Sequence, residues 1–318
     1  MALMLFALRR LLGLAATLLV TSFLIFGALY LTPGSPLSYL VGGRTVSPQT
    51  VARIKAEYHL DAPFPTRYLS WLDDVLHGRF GVSLVYKESV GGLISPRLGD
   101  TLFLLCYAAI LIILVGVTAG VAAGLARPRV DGAITALATV GLATPSFIAS
   151  TVLVTVFAVQ VRLFPVFGAG SGFTDRLWHL TLPAAALALS GCAYVTRVTR
   201  AAIRQERGRE HVETAFSRGL PAHVVIRRHV LRNALAPIAT VSGLTIAGLI
   251  AGTAVVETAF GLDGVGSLLV QSVSQQDFAV VQAICLILVT AFVLVNTVVD
   301  LLYPLIDPRL SLTSGGSR

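Results

Sequence analysis

Long apolar runs alternate with short charged connections along this chain, and six runs are long enough to cross a bilayer. They cover residues 11–31, 101–126, 133–161, 180–198, 234–256 and 278–305. A spanning helix needs about 20 mostly apolar residues, because lipid offers its backbone no hydrogen-bond partner. The third run contains Pro145, and the fifth contains Pro237 near its start. Both are read as kinks whose freed carbonyls are satisfied by neighbouring helices. The first run follows Arg9-Arg10 and continues to Thr32-Pro33-Gly34. That is longer than the apolar region of a cleaved leader, so an uncleaved first span is expected.

Composition agrees with the pattern. Of 318 residues, 55% are hydrophobic and 13% are charged, with a mean hydropathy of +0.81. Soluble domains carry about 25% charged residues. Too little polar surface remains for a soluble enzyme or a disordered regulator, which leaves an all-α integral membrane protein. Cys106, Cys192 and Cys285 all lie in apolar runs and read as small buried apolar residues.

The net charge is +8, and its placement matters more than its sum. Six spans put both termini on one side, with Arg9, Arg10, Arg127, Arg129, Arg309 and Arg318. At the end of the fourth run and between it and the fifth lie Arg197, Arg200, Arg204, Arg207, Arg209, Arg218, Arg227, Arg228 and Arg232. The opposite short connections hold only Arg162 and Arg176. Positive charge favours the cytoplasmic face, so both termini and the 199–233 loop are expected there. The 32–99 segment is then extracytoplasmic. Its stretches Tyr58-His59-Leu60-Asp61 and Arg67-Tyr68-Leu69-Ser70-Trp71-Leu72 suggest two or three short helices against the outer membrane face. Gly78, Gly81 and Gly91-Gly92 are expected to turn.

Catalytic motifs are missing from the sequence. Lys55 follows Ile54 and Lys87 follows Tyr86, so neither belongs to the Gly-Lys phosphate loop of an ATPase. Gly168-Ala169-Gly170-Ser171-Gly172 has the wrong order for a serine elbow and reads as a flexible outer loop. His179 beside Trp178 suits a polar interfacial anchor. Asp300, near the inner end of the last run, snorkels or pairs there, and Asn296 suits a bond between helices. The spans otherwise hold almost no charge, which argues against a proton-coupled carrier.

The 198–236 stretch is the informative part. It reads as a charged helix, a break at Gly219-Leu220-Pro221, and a helix returning into the fifth span. Glycine takes the left-handed conformation that ends helices, and proline opens the next one. Composition alone leaves two readings open. One is docking onto a cytoplasmic partner, and the other is a basic amphipathic helix on anionic headgroups.

The residues Glu213-Thr214-Ala215-Phe216-Ser217-Arg218-Gly219, with His229-Val230-Leu231-Arg232-Asn233 downstream, resemble the EAA loop of binding-protein-dependent ABC importers. Thr214 replaces the motif's first Ala and Arg232 its final Pro, as in the dipeptide/oligopeptide and nickel permease branch. Pro33-Gly34-Ser35-Pro36, Leu60-Asp61, Thr144-Pro145-Ser146-Phe147, Val256-Glu257-Thr258 and Asp307-Pro308-Arg309 extend the likeness along the chain. The long 32–99 segment is similar to that of the B-type subunit.

This resemblance implies a type I ABC importer permease fold, with residues 1–318 forming a single transmembrane domain. It implies a pore made with a second homologous permease, as a heterodimer or a homodimer. Two ATPase subunits carry ATP and Mg, an extracytoplasmic binding protein delivers substrate, and this chain is no enzyme. It implies no cofactor of the chain's own, no nucleic acid, and a place in the bacterial inner membrane. Glu213, Thr214, Ala215, Arg218, Gly219 and Leu220 correspond to the ATPase-coupling loop, with His229, Arg232 and Asn233 bracing it. Thr144, Pro145, Ser146, Ser242, Thr245 and Thr253 are candidates for the translocation path, although close helix packing is the favoured reading of such small polar residues. Glu257 is a candidate outer gate or docking residue. Di- and oligopeptides are the expected cargo, with nickel chelates or other small solutes as alternatives. A self-sufficient carrier or channel, a membrane-embedded enzyme and a non-transporting scaffold are the competing classes.

Overall fold

The computed structural model of the chain describes residues 2–31, 47–57, 62–83 and 85–306. Helix α1 is Ala2–Leu31, followed by the shorter α2, Pro48–Glu57, and α3, Phe64–Leu76. Helix α4, Val90–Leu111, passes through a π-helical turn at Ile112–Val117 into α5, Thr118–Leu125. Helix α6 is Pro128–Ala143, and α7 is Ser146–Leu153 with a π-helical turn at Val154–Gln160. Helix α8 is Gly172–Arg207, α9 is Glu210–Ser217, and α10 is Ala222–Val225. A π-helical turn at Ile226–Leu231 leads into α11, Arg232–Ala259, and then come α12, Val265–Ser274, and α13, Phe278–Ile306.

Five stretches are long and apolar enough to cross a membrane: Leu8–Ala28, Val90–Leu125, Gly172–Arg207, Ala222–Ala259 and Phe278–Val299. Helices α6 and α7 meet that test only together, and they meet at 105°. The expected kink in a continuous third span is thus corrected to a break. The cause is local. Proline disfavours the helical conformation of the residue before it, and Thr144 sits at φ −89°, ψ 113°. Pro145 itself is extended, at φ −60°, ψ 146°, and starts a new helix. Pro183 and Pro237, by contrast, lie inside α8 and α11.

Helix α8 is the centre of the bundle. Its apolar window is 61% buried, against 11% for α1. Leu180, Ala184, Leu187 and Val195 of α8 share a core with Leu104, Ala108 and Ile112 and with Leu249 and Val256 of α11. Thirty-six residues of helix extend about 54 Å, well beyond a hydrocarbon core of about 30 Å. Its arginine-rich last turns therefore project past the apolar layer.

Glycines set how closely the helices approach. A Cβ at Gly116 would lie 3.0 Å from Val195, and one at Gly124 would lie 2.7 Å from Ile203. At Gly120 it would overlap Thr199. This stripe, one residue per turn, lets α5 lie against α8 backbone to backbone, as small residues do in membrane bundles.

Between α1 and α4, the described residues include α3, which contains the 67–72 stretch expected to be helical, and α2, which ends before Tyr58. Helix α3 packs on α1 through Phe26 and Trp71, with ring centroids 5.3 Å apart, and Tyr68 Oη lies 2.9 Å from Ser22 Oγ. Gly78 and Gly81 turn with φ +76° and +81°. Gly91-Gly92 do not, because Ser89 Oγ caps α4 by accepting the Gly92 N–H at 3.2 Å. Cys106 is exposed on α4, not buried, while Cys192 and Cys285 are half-buried thiols. Asn296 donates to Phe292 O of its own helix at 2.9 Å, not to a neighbour. His179 Nδ1 lies 3.0 Å from Asp175 O of its own helix, and the rings of Trp178 and Phe164 are 4.6 Å apart beside it. Pro33-Gly34-Ser35-Pro36, Tyr58-His59-Leu60-Asp61, Asp307-Pro308-Arg309 and the side chain of Asp300 lie outside the described residues.

Candidate functional site: the loop helix

Helix α8 ends at Gly208, and extended Arg209 at φ −82°, ψ 141° starts α9. Glu210 and Glu213 occupy the first turn of α9, where the helix dipole favours negative charge. Val212 and Ala215, three residues apart, are the buried face. They pack with Ala202 and Ile203 of α8 and with Val225, Val230, Ala234 and Ile238. Burial of these few apolar side chains seats the helix across the ends of α8 and α11.

The end of α9 is fixed by Gly219. Its φ is +78°, a left-handed conformation that glycine adopts without a Cβ penalty. The Gly219 N–H donates to Phe216 O at 2.9 Å, and the Leu220 N–H to Ala215 O at 3.3 Å. That pair of bonds is a Schellman closure, which satisfies the last helical carbonyls. Pro221, at φ −66°, ψ 142°, then caps α10. The sequence-derived break at Gly219-Leu220-Pro221 lies at this turn.

With Val212 and Ala215 turned inward, Glu213, Thr214, Ser217 and Arg218 face outward. Two large apolar side chains join them, Phe216 at 48% and Leu220 at 39% exposure. Behind the loop, Asn233 Nδ2 donates to His229 O at 2.9 Å and sits 3.2 Å from His211 Nε2. The His211 and His229 rings are 6.2 Å apart. Asn233 and His229 thus join the start of α11 to α9. Arg232 is exposed and makes no hydrogen bond or ion pair to a described residue.

The path candidates do not converge on one surface of this chain. Thr253 is fully buried and donates to Ile250 O at 2.8 Å. Ser242 is 7% exposed, and its hydroxyl has no hydrogen-bond partner among the described residues. Thr245 bonds Val241 O at 2.7 Å, and its methyl group is 2.9 Å from where a Gly191 Cβ would stand. Thr144, Pro145 and Ser146 form the elbow between α6 and α7.

Glu257 presents no surface at all, so it offers a docking partner nothing in this conformation. Its Oε1 accepts the Thr101 hydroxyl at 2.7 Å, and its Oε2 accepts the Ser267 N–H at 2.9 Å. Gly264 and Gly266 cradle the carboxylate; a Cβ at Gly264 would overlap it. Two further features escaped sequence reasoning. One is the Gly116, Gly120, Gly124 stripe, whose four-residue spacing was its signal. The other is Asp131, which is held by Arg200 and Arg204.

Residues 116–312 match the family described as the binding-protein-dependent transport system inner membrane component, and residues 3–104 match its N-terminal component. The probable peptide ABC transporter permease protein y4tP of Sinorhizobium fredii is 35% identical over 309 residues, covering 96% of this chain and 98% of that protein. The oligopeptide transport system permease protein OppB of Escherichia coli is 35% identical over 307 residues, covering 96% and 98%. An inward-facing structure of the MetNI methionine ABC transporter shares the fold, with a TM-score of 0.54 and 16% identity over 67% of this chain and 96% of that one. The chain thus belongs to the binding-protein-dependent transport system inner membrane components, as a multi-pass, all-helical permease subunit.

Proposed function

We propose that this chain is a pore-forming subunit of an ATP-driven importer that carries di- and oligopeptides into the cell. The peptide reading is supported by near full-length similarity to permeases named for peptide and oligopeptide transport. One observation carries the mechanism: α9 buries Val212 and Ala215 and turns Phe216 and Leu220 outward beside a Schellman turn. An exposed apolar pair rimmed by polar residues suits a protein partner, and the likeness to ABC permeases favours that occupant over the membrane surface, which such a pair also fits.

In this reading ATPase subunits, carrying ATP and Mg, grip α9 from the cytoplasm. Their closure displaces α9, and α8 and α11, joined to it through the Val212–Ala215 core, follow. The spans then rock between openings to the two sides. A second, related permease completes the pore, and an external binding protein delivers the peptide. This chain makes and breaks no bonds. The chain crosses the membrane six times, with α6 and α7 as a broken third span, a reading supported by helix length and apolarity, and the arginine distribution supports placing both termini in the cytoplasm and residues 32–99 outside. Thr144, Pro145, Ser146 and Thr245 are the favoured path residues. Ser242 and Thr253 reach the path only if their neighbouring helices part. Glu257 acts as a gate by holding α12, not by touching the binding protein.

The test is purification in mild detergent, with co-purifying chains identified by mass spectrometry. Recovery of a related permease and ATPase subunits supports the reading. A pure chain lacking ATPases, reproduced in nanodiscs, moves it to a self-sufficient carrier.

A further inference from the structure

We propose that Asp131 is a positioning residue: it clamps α6 to α8, so that displacement of the loop helix reaches the elbow at Pro145. Asp131 stands in the first turn of α6 and is 5% exposed. Arg200 grips it with two donors, Nε on Oδ1 and Nη2 on Oδ2, the second at 2.7 Å. Arg204, one turn further along α8, places Nη2 on Oδ2. The Thr135 hydroxyl donates to Oδ1 at 3.4 Å. A two-pronged guanidinium grip on a carboxylate fixes orientation as well as distance.

The position of the grip gives it its meaning. Arg200 and Arg204 belong to the last turns of α8, the stretch that runs directly into α9. Arg207, in the next turn, donates to Gly124 O of α5 at 3.1 Å. Further along α6 the contact with α8 is close and apolar: a Cβ at Gly141 would lie 3.2 Å from Ala193. A half-open groove of about 250 Å³ runs along this contact, lined by Ile134, Leu137 and Ala138 of α6 and by Leu189 and Ala193 of α8. Its lining is almost wholly apolar, so no polar contact ties α6 there. The clamp therefore adds an oriented polar tie at the near end of α6 to a contact that is otherwise apolar. Helix α6, with 16 residues, is a lever about 24 Å long, and its far end is the 105° elbow.

The stroke in this inference rests on the importer reading, so two measurements separate them. In the assembled transporter, with ATPases and binding protein, Asp131→Asn should keep stimulated ATP hydrolysis while uptake falls roughly tenfold, within the usual range of coupling free energies. Asp131→Glu, which keeps the charge, should recover most of the uptake. A purely structural role lowers both activities in parallel, and unchanged uptake in Asp131→Asn overturns the clamp. The second measurement needs no transport. Spin labels at Arg129→Cys and Gln205→Cys, with Cys106, Cys192 and Cys285 replaced by alanine, report the α6–α8 distance in the full chain. A narrow distribution that broadens in Asp131→Asn supports the clamp even if the unsubstituted assembly fails to transport, which counts against the importer reading alone. A distribution that stays narrow overturns the clamp.

Discussion

The carboxylate of Glu257, near the end of α11, accepts the backbone N–H of Ser267 at 2.9 Å, inside the first turn of α12. An acid of one helix thereby caps the next, where orphan N–H groups and the helix dipole both favour negative charge. Thr101 completes the arrangement, donating to Glu257 at 2.7 Å and accepting the Val265 N–H at 2.9 Å. Three helices meet on one buried carboxylate. Glu257→Ala leaves these donors without their acceptor, at a cost of about 1–3 kcal/mol for each stranded group. Thermal unfolding in detergent should show Glu257→Ala well below the wild type, with Glu257→Gln between them. An alanine variant as stable as the wild type removes the capping account, and normal peptide uptake by that variant removes the gate.

Gly219→Val places a β-branched residue at φ +78°, a conformation that costs about 1–3 kcal/mol outside glycine. The strain falls on an exposed turn, so membrane insertion should survive. Binding-protein-stimulated ATP hydrolysis and uptake should fall together. Gly219→Asn, which tolerates left-handed backbone, should retain more of both. Equal, full activity in the valine variant contradicts the assignment of α9.

Phe216 and Leu220 are predicted to contact an ATPase. Replacing Phe216 with Ala should weaken retention of that subunit about tenfold, as loss of about 1.4 kcal/mol implies. Retention is read by native mass spectrometry of the purified assembly. Asn233→Ala should give a smaller effect, near the 1 kcal/mol of one lost hydrogen bond. Undiminished retention in the Phe216 variant means that the apolar pair faces lipid or water instead.

Gly120 and Gly132 make a matched pair. A Cβ at Gly120 meets Thr199 of α8, whereas one at Gly132 meets nothing within 4 Å. Gly120→Leu should prevent a folded, monodisperse product in size-exclusion chromatography, and Gly132→Leu should behave as the wild type. If both fold equally, the α5–α8 contact is not the close approach described.

Much of this was legible in the sequence because lipid imposes a simple rule: apolar runs become helices. The turn at Gly219 was legible for a local reason, since glycine and proline act on their own backbone. What escaped depends on distant partners. Pro145 breaks a helix while Pro183 and Pro237 do not, so the proline alone does not decide the outcome. Gly91-Gly92 looked like a turn, yet the Ser89 cap and the buried Val90 and Leu93 make them helical. Asp131 and Arg200 lie 69 residues apart, a separation that no local pattern bridges. Glu257 was visible as a lone acid after an apolar run, but its burial depends on Thr101 and α12.

The central claim is that this chain moves peptide only when ATPases act on its loop helix. Its most direct test is uptake of labelled oligopeptide by proteoliposomes holding this chain, a related permease and ATPase subunits, with binding protein on the side facing residues 62–83. The account predicts uptake that requires both ATP and binding protein and is abolished by Gly219→Val. Uptake by this chain alone, without ATP and indifferent to Gly219→Val, would contradict it.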